Sequence, residues 1–459
     1  MEKVIKILIW LYVVLLIFEG ALRKWVMPSM ADPLLIVRDP VVLAIYVAAF
    51  FSGRFPLNGF VLATGALAVA SAIASLFAGQ SNALVIAYGI RINYLHVPLI
   101  WIMARVLTRK DVERLGCFLL LVAIPMTLVM IMQFRSPMNA PINRGIGGGE
   151  GGQIFGAMGR IRPPGFFSFI TGPQVFYPLV AAFFLHQATA NRRLWWPVLI
   201  ACGLAIIVAL PVSISRTAML ATAIVGIVFV LSMSRAGIGL GSKFKTILTL
   251  GVVAIGVSFL PIFDEARTVF LSRWVTAAGG EDSDAWGGII GRILGGFTQP
   301  FHWATVAPFF GYGIGVGSNV GARLLSGRVG FLLAEDEWGK IFLELGPILG
   351  GAFLAFRVFI TLHLALKAIN ALLQNRDNLP ILLFSAAAIP IALNQWAPPT
   401  LLGFAVVGGG LVLASLNEDD EDEEEEDAEE EEESESDEGA GERSLAADPP
   451  RPVPLRPRY

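Results

Sequence analysis

The strongest chemical signal in this sequence is an arginine placed at the start of a helix. Arg216 lies in the short polar turn Pro211-Val-Ser-Ile-Ser-Arg-Thr-Ala-Met219, between two apolar runs. Ser215 or Thr217 can cap the helix that follows, which puts Arg216 at a helix N-terminus, where backbone N–H groups and the helix dipole favour anions. A guanidinium also binds phosphate or carboxylate through paired hydrogen bonds. The turn therefore predicts an anion site.

Other arginines are candidates for the same ligand. Arg160 and Arg162 precede two prolines just before an apolar run, and Arg292 lies in the long segment Asp264–Trp338. Arg91 differs from them because it lies within an apolar run. An ionisable group at membrane depth costs on the order of 3 kcal/mol or more, so it faces either a cavity or a partner. For Arg91, a ligand role and structural ion pairing both stay open.

Candidate proton acceptors lie in the same long segment. Three consecutive acids, Glu335, Asp336 and Glu337, stand where the segment meets the next apolar run. Carboxylates are among the side chains that can accept a proton in catalysis. Acids at a helix N-terminus are also explained by the helix dipole alone. His302, followed by Trp303, is a reserve base, and packing or a surface hydrogen bond is its structural alternative.

The scaffold that positions these side chains is predicted to lie in a membrane, because the composition is that of an integral membrane protein. Of 459 residues, 55% are hydrophobic and 15% charged, with a mean hydropathy of +0.66, against roughly 25% charged in soluble domains. Runs of near 20 apolar residues, enough to cross about 30 Å of hydrocarbon, predict an all-α bundle of about 12 transmembrane helices. The runs are 3–19, 37–52, 59–78, 84–104, 115–133, 173–190, 195–213, 217–233, 245–263, 339–360, 379–396 and 400–416.

The basic residues predict the orientation of this bundle. An even number of spans puts both termini on one side, and with a cytoplasmic N-terminus every inner loop carries Lys or Arg, as the positive-inside rule requires. The outer basic residues are nearly all Arg, which suits ligand binding. Residues 418–459 hold 20 of the 37 acids and four of the 34 bases. This tail is predicted to be disordered, and the cationic body is predicted to attract an anionic ligand or lipid.

Several other classes of site are not expected. Cys117 and Cys202 lie inside apolar runs and the four His have no ligand spacing, so we expect neither a disulfide framework nor a metal ion. The glycine-rich Gly145–Gly152 lacks the Gly-Lys-Ser/Thr ending of a phosphate-binding loop, and no strand is predicted before it. We expect no cofactor and no nucleic-acid partner.

Four segments in a fixed order carry a resemblance to a known family. They are Gly159-Arg-Ile-Arg-Pro-Pro-Gly165, Ser215-Arg-Thr-Ala-Met-Leu-Ala221, the stretch Arg292–Gly317 with its Pro-Phe-Phe-Gly-Tyr-Gly-Ile-Gly, and Phe342-Leu-Glu-Leu-Gly346. In this order, around an outward-facing loop, they resemble the O-antigen ligase and O-antigen polymerase superfamily, membrane glycosyltransferases that use polyprenyl-diphosphate-linked glycans. The resemblance covers residues 159–351, and Glu19-Gly-Ala-Leu-Arg-Lys-Trp25 adds to it.

The resemblance implies a fold, a reaction and a set of site residues. It implies a bundle like that of glycosyltransferases of the C type (GT-C-like), in which Arg216 and Arg292, with Arg160 or Arg162, hold the leaving diphosphate without a metal. Ligases of the family present a His before the Leu-Glu-Leu-Gly segment. Glu335–Glu337 occupy that position here, which favours a polymerase over a ligase. Glu337 is then the first candidate to deprotonate the acceptor hydroxyl, followed by Glu335 or Asp336, with His302 in reserve. The hydroxyl attacks the anomeric carbon with inversion.

The expected protein is a multi-pass enzyme of the bacterial plasma (inner) membrane with both termini cytoplasmic. Residues 1–416 form its membrane domain, in which outer loops 134–172 and 264–338 build the site, and residues 417–459 form the acidic, Pro-rich tail. Its expected partners are the lipid bilayer, the polyprenyl-diphosphate-linked glycan and other polysaccharide-assembly proteins. Beside polymerisation, ligase-type transfer to a lipid or protein acceptor stays open. So do two other classes, an anion transporter of the bicarbonate type and an assembly subunit that binds the glycan lipid without chemistry.

Overall fold

The computed structural model describes residues 1–149, 155–189, 193–233, 264–265, 267–269, 272, 301–328, 330 and 332–417. Within these residues the protein is α-helical apart from one pair of short strands, which confirms the all-α class. Three predicted features lie outside the described residues: Arg292, the apolar run 245–263 and the acidic tail from residue 418.

The first part of the chain alternates long apolar helices with short tight turns. Two π-helical segments, Leu22–Val26 and Arg91–Leu95, extend the first and fifth helices, and segments of this kind are frequent at functional sites. Short 3₁₀ turns occupy Pro28–Met30, Pro141–Asn143 and Ile146–Gly148. The α-helices are α1 (Glu2–Ala21), α2 (Ala31–Leu34), α3 (Arg38–Phe51), α4 (Gly59–Phe77), α5 (Ala83–Ile90), α6 (Leu99–Val106) and α7 (Arg109–Arg135).

The second part of the chain contains the remaining helices and the strand pair. Strand β1 (Phe155–Ala157) pairs antiparallel with β2 (Arg160–Ile161), so the connection between α7 and the next α-helix contains a short hairpin. Residues 301–306 are also helical. The α-helices are α8 (Thr171–Thr189), α9 (Trp196–Val212), α10 (Arg216–Met233), α11 (Asn319–Ser326), α12 (Glu337–Gln374), α13 (Leu379–Ala392) and α14 (Pro399–Ala414).

Seven helical stretches of the described chain are long and apolar enough to cross a membrane. They are Glu2–Val26, Pro28–Phe51, Gly59–Phe77, Ala83–Val106, Arg109–Arg135, Arg216–Met233 and Glu337–Gln374. Helices α9, α13 and α14 are apolar but shorter. Together with α8, these helices overlap every predicted run except 245–263. The protein is therefore membrane-embedded and helical, and the total of 12 spans stays a prediction.

Helix α14 lies at the centre of the bundle. Every residue from Leu401 to Ala414 is buried, and its glycines let neighbouring helices approach closely. A Cβ atom on Gly410 would lie 2.6 Å from Met103 Sδ in α6, and one on Gly403 would lie 2.3 Å from Arg38 Nη1 in α3. Helices α3 and α6, early in the chain, therefore pack in one core with α14, which comes late in the chain.

Helix α12 is interrupted at Gly346. This glycine has φ 78° and ψ 174°, a backbone conformation that is essentially restricted to glycine, and Pro347 follows it. The chain then folds back, because a Cβ atom on Gly350 would lie 3.1 Å from the carbonyl oxygen of Ile341. Helix α12 is thus a helical hairpin with a short arm, residues 337–345, and a long arm, residues 347–374. The predicted span 339–360 begins in one arm and ends in the other.

Candidate functional site

The turn before α10 holds its arginine on a strained backbone. Ile214 has φ +50° although it is β-branched, an unusual combination, and such strain gathers at functional sites. Ser213 Oγ accepts a hydrogen bond from Ser215 N at 3.2 Å, and Ser215 Oγ accepts one from Ala218 N at 3.3 Å. Arg216 is half-buried as the first residue of α10. Of the two candidate caps, Ser215 and Thr217, the structure shows Ser215 in this role, and the ligand role of Arg216 stays a prediction.

Arg160 and Arg162 lie at the strand pair beside the end of α7. Arg160 Nε donates to Glu265 Oε1 at 2.6 Å, and its guanidinium lies 5.5 Å from the ring centroid of Phe134. The Arg160 and Glu265 side chains are 32% and 51% exposed, and ion pairs so exposed contribute only about 0–1 kcal/mol. An anionic ligand could therefore replace Glu265 at little cost. Arg162 is half-buried nearby.

Two of the segments that carry the resemblance are in contact. Lys24 Nζ donates to the carbonyl oxygen of Gly165 at 2.7 Å, and the Gly165 N–H donates to Gln133 Oε1 at 2.8 Å. These bonds hold Gly159–Gly165 against Glu19–Trp25 and the end of α7. The arginines of the strand pair are therefore fixed relative to the first helix.

Arg91 makes an ion pair, one of the two roles that the sequence left open. Its Nη2 donates to Asp39 Oδ1 at 3.1 Å and to the carbonyl oxygen of Leu35 at 3.1 Å, and its Nε donates to Asp39 Oδ2. His96 Nε2 lies 3.1 Å from Asp39 Oδ1. This paired geometry is the strong form of an Arg–carboxylate contact. Arg91 is therefore accounted for as the cation that joins α3 to the π-helical segment after α5.

The same ion pair belongs to a larger buried ionic network. Arg38 Nη1 donates to the Tyr12 hydroxyl at 3.2 Å, so the hydroxyl proton is left for His96 Nδ1 at 3.0 Å. His96 then carries its proton on Nε2 and donates to Asp39, an assignment that follows from the hydrogen-bond network. Arg38 Nε also donates to Glu19 Oε2 at 3.3 Å. The network satisfies polar groups that hydrocarbon cannot solvate.

A prediction follows for Asp39. Replacing it with Asn removes the carboxylate that faces Arg91 and leaves a largely buried guanidinium without its counter-ion, a change that costs about 3–5 kcal/mol. We expect Asp39→Asn to lower the melting temperature in detergent sharply. The matched control is Glu2→Gln, which breaks an ion pair with Arg54 whose side chains are 34% and 49% exposed and should change little. Equal melting temperatures for the two variants would show that the network contributes no more than a surface pair.

Glu337, the first candidate base, lies inside a second ionic cluster. Its Oε1 accepts from Arg357 Nη1 at 3.0 Å and from Trp396 N at 3.2 Å, and its Oε2 lies 2.7 Å from Lys340 Nζ. The Glu337 side chain is 1% exposed. These contacts explain Glu337 as the anion that closes the α12 hairpin against the α13–α14 loop. A role as general base stays a prediction, and it requires this ion pair to open.

The alternative bases differ in how accessible they are. Asp336 Oδ2 accepts from Gly339 N at 2.6 Å, which caps α12, so this acid has the helix-start role that the sequence also allowed. Glu335 is exposed. His302 is exposed as well, with its ring centroid 5.9 Å from that of Trp303. Glu335 and His302 are therefore the candidates that a ligand reaches without breaking a buried ion pair.

Two further segments of the resemblance, Pro308–Gly317 and Phe342–Gly346, are joined through their backbones. Tyr312 N donates to the Leu343 carbonyl at 2.8 Å and Gly313 N to the Glu344 carbonyl at 3.0 Å. The buried carboxylate of Glu344 accepts from Gly317 N at 2.7 Å. Sequence reasoning did not single out Glu344, although it is the acid of Leu-Glu-Leu-Gly. Its position shows that this motif holds the Pro308–Gly317 turn.

A cavity opens beside this pair of segments. Its volume is about 720 Å³, within the roughly 300–1,000 Å³ of small-molecule sites. Aromatic and aliphatic side chains dominate its walls, with the amide of Gln80, the indole of Trp303 and the hydroxyl of Tyr312 as polar groups. It is lined by Gln80, Trp303, Tyr312, Val316, Leu325, Leu332, Leu333, Ala334 and Leu343.

The reversal at Gly346 supports a second prediction. Alanine there adds backbone strain of about 1–3 kcal/mol and a Cβ atom only 2.1 Å from the carbonyl oxygen of Phe309. We expect Gly346→Ala to remove most of the folded protein, as measured by size-exclusion chromatography in detergent. Gly327→Ala is the control, because Gly327 has φ +71° but nothing within 4 Å of its Cβ position. If both variants behave alike, the close contact with Phe309 is unimportant.

Fold and site together define a membrane-embedded helical protein with two buried ionic clusters, a helix that begins with arginine and a cavity beside an interrupted helix. Comparisons of the sequence with protein-family models and with curated proteins found no match.

Proposed function

We propose that the protein transfers glycan from a polyprenyl diphosphate at the outer face of the bacterial plasma membrane, most specifically as a polysaccharide polymerase. The observation that carries the proposal is the turn before α10. A strained, buried Ile214 and a serine cap set Arg216 at the first position of a helix, so a guanidinium and a helix dipole act at one point. That combination suits a diphosphate.

The diphosphate is the leaving group in this proposal, and arginines stabilise its charge. The acceptor hydroxyl attacks the anomeric carbon of the donor, the bond between that carbon and the diphosphate oxygen breaks, and the configuration inverts. Negative charge then grows on the diphosphate, where fixed cations lower the barrier. Arg216 is the first of these cations, and Arg160, Arg162 and Arg292 are further ones. Arg160 can exchange Glu265 for the ligand.

The proton of the acceptor hydroxyl passes to a base in the segment before α12 or in residues 301–306. Glu335 and His302 are exposed, whereas Glu337 is held by Arg357 and Lys340. Among these candidates the accessible ones suit the step best, since a general base must lie within hydrogen-bond reach of the proton that it removes. The cavity between Trp303, Tyr312 and Leu343 lies beside them and is the proposed site for part of the substrate.

The scaffold in this proposal is a GT-C-like bundle of about 12 spans with both termini in the cytoplasm. The strand pair, the turn before α10 and the segment before α12 then belong to the outer side. Ligase-type transfer to a lipid or protein acceptor uses the same donor site, so the acceptor alone distinguishes the two reactions.

Anion transport is the second candidate, and one observation favours it. The α12 hairpin buries four ionisable side chains, Glu337, Lys340, Glu344 and Arg357, at an interrupted helix. Secondary transporters often build their ion sites from interrupted helices, and ionisable groups within membrane segments often mark ion pathways. The ion pairs of Glu337 with Lys340 and Arg357, and the hydrogen bond from Gly317 N to Glu344, give these groups a structural role as well, so glycan transfer remains the first proposal.

One experiment separates the candidates. The purified protein is reconstituted into liposomes with a polyprenyl-diphosphate-linked oligosaccharide, and the products are resolved by gel electrophoresis. We expect a ladder of extended glycans, because only an enzyme lengthens the chain. Uptake of labelled bicarbonate by the same liposomes without any ladder would establish transport instead. Binding of the glycan lipid with neither activity would indicate an assembly subunit.

A further inference from the structure

The segment that contains residues 301–325 turns large apolar side chains outward. Six of them are 39–62% exposed, and we call them the apolar patch: Phe301, Val306, Phe309, Phe310, Leu324 and Leu325. The cavity wall contains Leu325 of the patch, from α11, and Tyr312 of the Pro308–Gly317 turn, to which Phe309 and Phe310 of the patch also belong. On a soluble protein, an exposed apolar patch of this kind marks an interaction site.

In helix α11 the exposed side is apolar, unlike that of a helix at a water-facing surface. Gly321 and Ala322 are buried in the protein, while Leu324 and Leu325 are exposed. A helix at a water-facing surface directs its apolar side inward and its polar side outward. Helix α11 instead presents leucines outward with Arg323 beside them, whose side chain is 63% exposed. This arrangement is typical of a helix that lies in a membrane interface.

The apolar patch also continues a surface that faces lipid. Helix α4 is a candidate membrane span, and its exposed residues Leu62, Val69, Ile73 and Leu76 recur at helical spacing, so they form one lipid-facing stripe. The stripe ends at Phe77, which is exposed and stacks on Phe310 of the patch with ring centroids 5.3 Å apart. The apolar surface therefore extends from the span into the segment beyond it.

We propose that the apolar patch inserts among the lipid chains of one leaflet, with Arg323 and Arg328 at the level of the lipid phosphates. Both arginines are exposed. Arg323 Nη1 lies 3.5 Å from Asp32 Oδ2 in a pair whose side chains are 63% and 76% exposed, and basic residues near an anionic membrane surface are attracted to it. An apolar helix face in an interface sinks about 5–10 Å below the headgroups. The occupant of the patch is thus the bilayer. This inference does not depend on the proposed glycan transfer.

Spin labels test the depth of the patch directly. The native cysteines are replaced (Cys117→Ala, Cys202→Ala), and single labels are placed through Phe309→Cys and Leu324→Cys. Val69→Cys on the α4 stripe gives the lipid reference, and Arg376→Cys, at an exposed residue between α12 and α13, gives the water reference. In liposomes containing anionic lipid, collision rates are measured with oxygen, which concentrates in hydrocarbon, and with a water-soluble nickel chelate.

We expect the oxygen-to-nickel ratio at both patch labels to approach the ratio of the Val69→Cys label. A ratio equal to that of the Arg376→Cys label at both positions would overturn the proposal. Dipolar broadening that disappears on dilution with unlabelled protein would also overturn it, because a second copy of the chain would then cover the patch. Two independent label positions keep the test decisive if one variant does not fold.

Discussion

Arg216→Ala is expected to abolish glycan extension by reconstituted protein while leaving the yield of folded protein unchanged. Loss of one fixed group that stabilises developing negative charge typically reduces the rate by about 10²–10³. The fold should tolerate the change, because Ser215 Oγ, which accepts from Ala218 N, caps α10 independently of the arginine. The measurement is the initial rate of ladder formation at saturating glycan lipid, normalised to the monodisperse protein recovered.

Two companion variants sharpen this result. Arg216→Lys keeps the charge but loses the paired, planar donors, so we expect a rate between those of the native protein and Arg216→Ala. Arg376→Ala removes an exposed arginine from the α12–α13 connection and should leave the rate unchanged. Native rates for Arg216→Ala would remove this residue from the mechanism, whereas a native rate for Arg216→Lys alone would reduce its role to that of a point charge.

Glu337→Ala is expected to eliminate the folded protein. Without the carboxylate, Arg357 and Lys340 are left buried without the anion that they share, and breaking a buried ion pair in this way costs about 3–5 kcal/mol. That is a large part of the roughly 5–15 kcal/mol that stabilises a typical native protein. The measurement is the fraction of protein that elutes as a monodisperse peak in mild detergent.

Glu337→Gln separates the structural role of this residue from a catalytic one. The amide oxygen can still accept from Arg357 and from Trp396 N, so more of the folded protein should survive than with Glu337→Ala. If Glu337 is the general base, the rate per folded molecule falls by about 10² or more. If it only closes the hairpin, that rate stays native. Glu335→Gln is the matched comparison, because Glu335 is exposed and its loss should affect the rate without affecting folding.

The membrane helices could be predicted from the sequence because the signal for them is local. About 20 apolar residues in a row identify a helix without knowledge of its neighbours. The reversal at Gly346 also had a local signal, since Gly-Pro within an apolar run marks a break in a helix. Continuous hydropathy on both sides of that break favoured one span instead. Hydropathy measures the affinity of a segment for hydrocarbon, so it does not reveal whether the chain reverses within that segment.

The ionic clusters could be predicted only in part, because their members are distant in sequence. The rule that an ionisable group inside a membrane run needs a partner drew attention to Arg91, but nothing local identified Asp39, 52 residues earlier. Arg357 satisfies the same rule within its own apolar run, so the sequence carries a signal for it as well. Similarly, three adjacent acids look equivalent in the sequence, yet the fold buries Glu337, uses Asp336 as a cap and exposes Glu335. Burial of this kind depends on the whole packing arrangement.

The hydrogen bonds of Arg38 join an early part of the chain, at Glu19, to a late part, at Pro399. This has a consequence for biosynthesis. Arg38 Nη2 donates to the carbonyl oxygen of Pro399, 361 residues later, at 2.6 Å. At about 5–20 residues per second of synthesis, roughly 20–70 s pass between the emergence of these two partners from the ribosome. During that interval Glu19 in α1 and Arg38 in α3 are already present, but α14, whose first carbonyl accepts from Arg38, is not. The nascent helices must therefore wait beside the insertion machinery until α14 arrives, and a truncated chain that lacks α14 should be recognised and degraded as an unassembled intermediate.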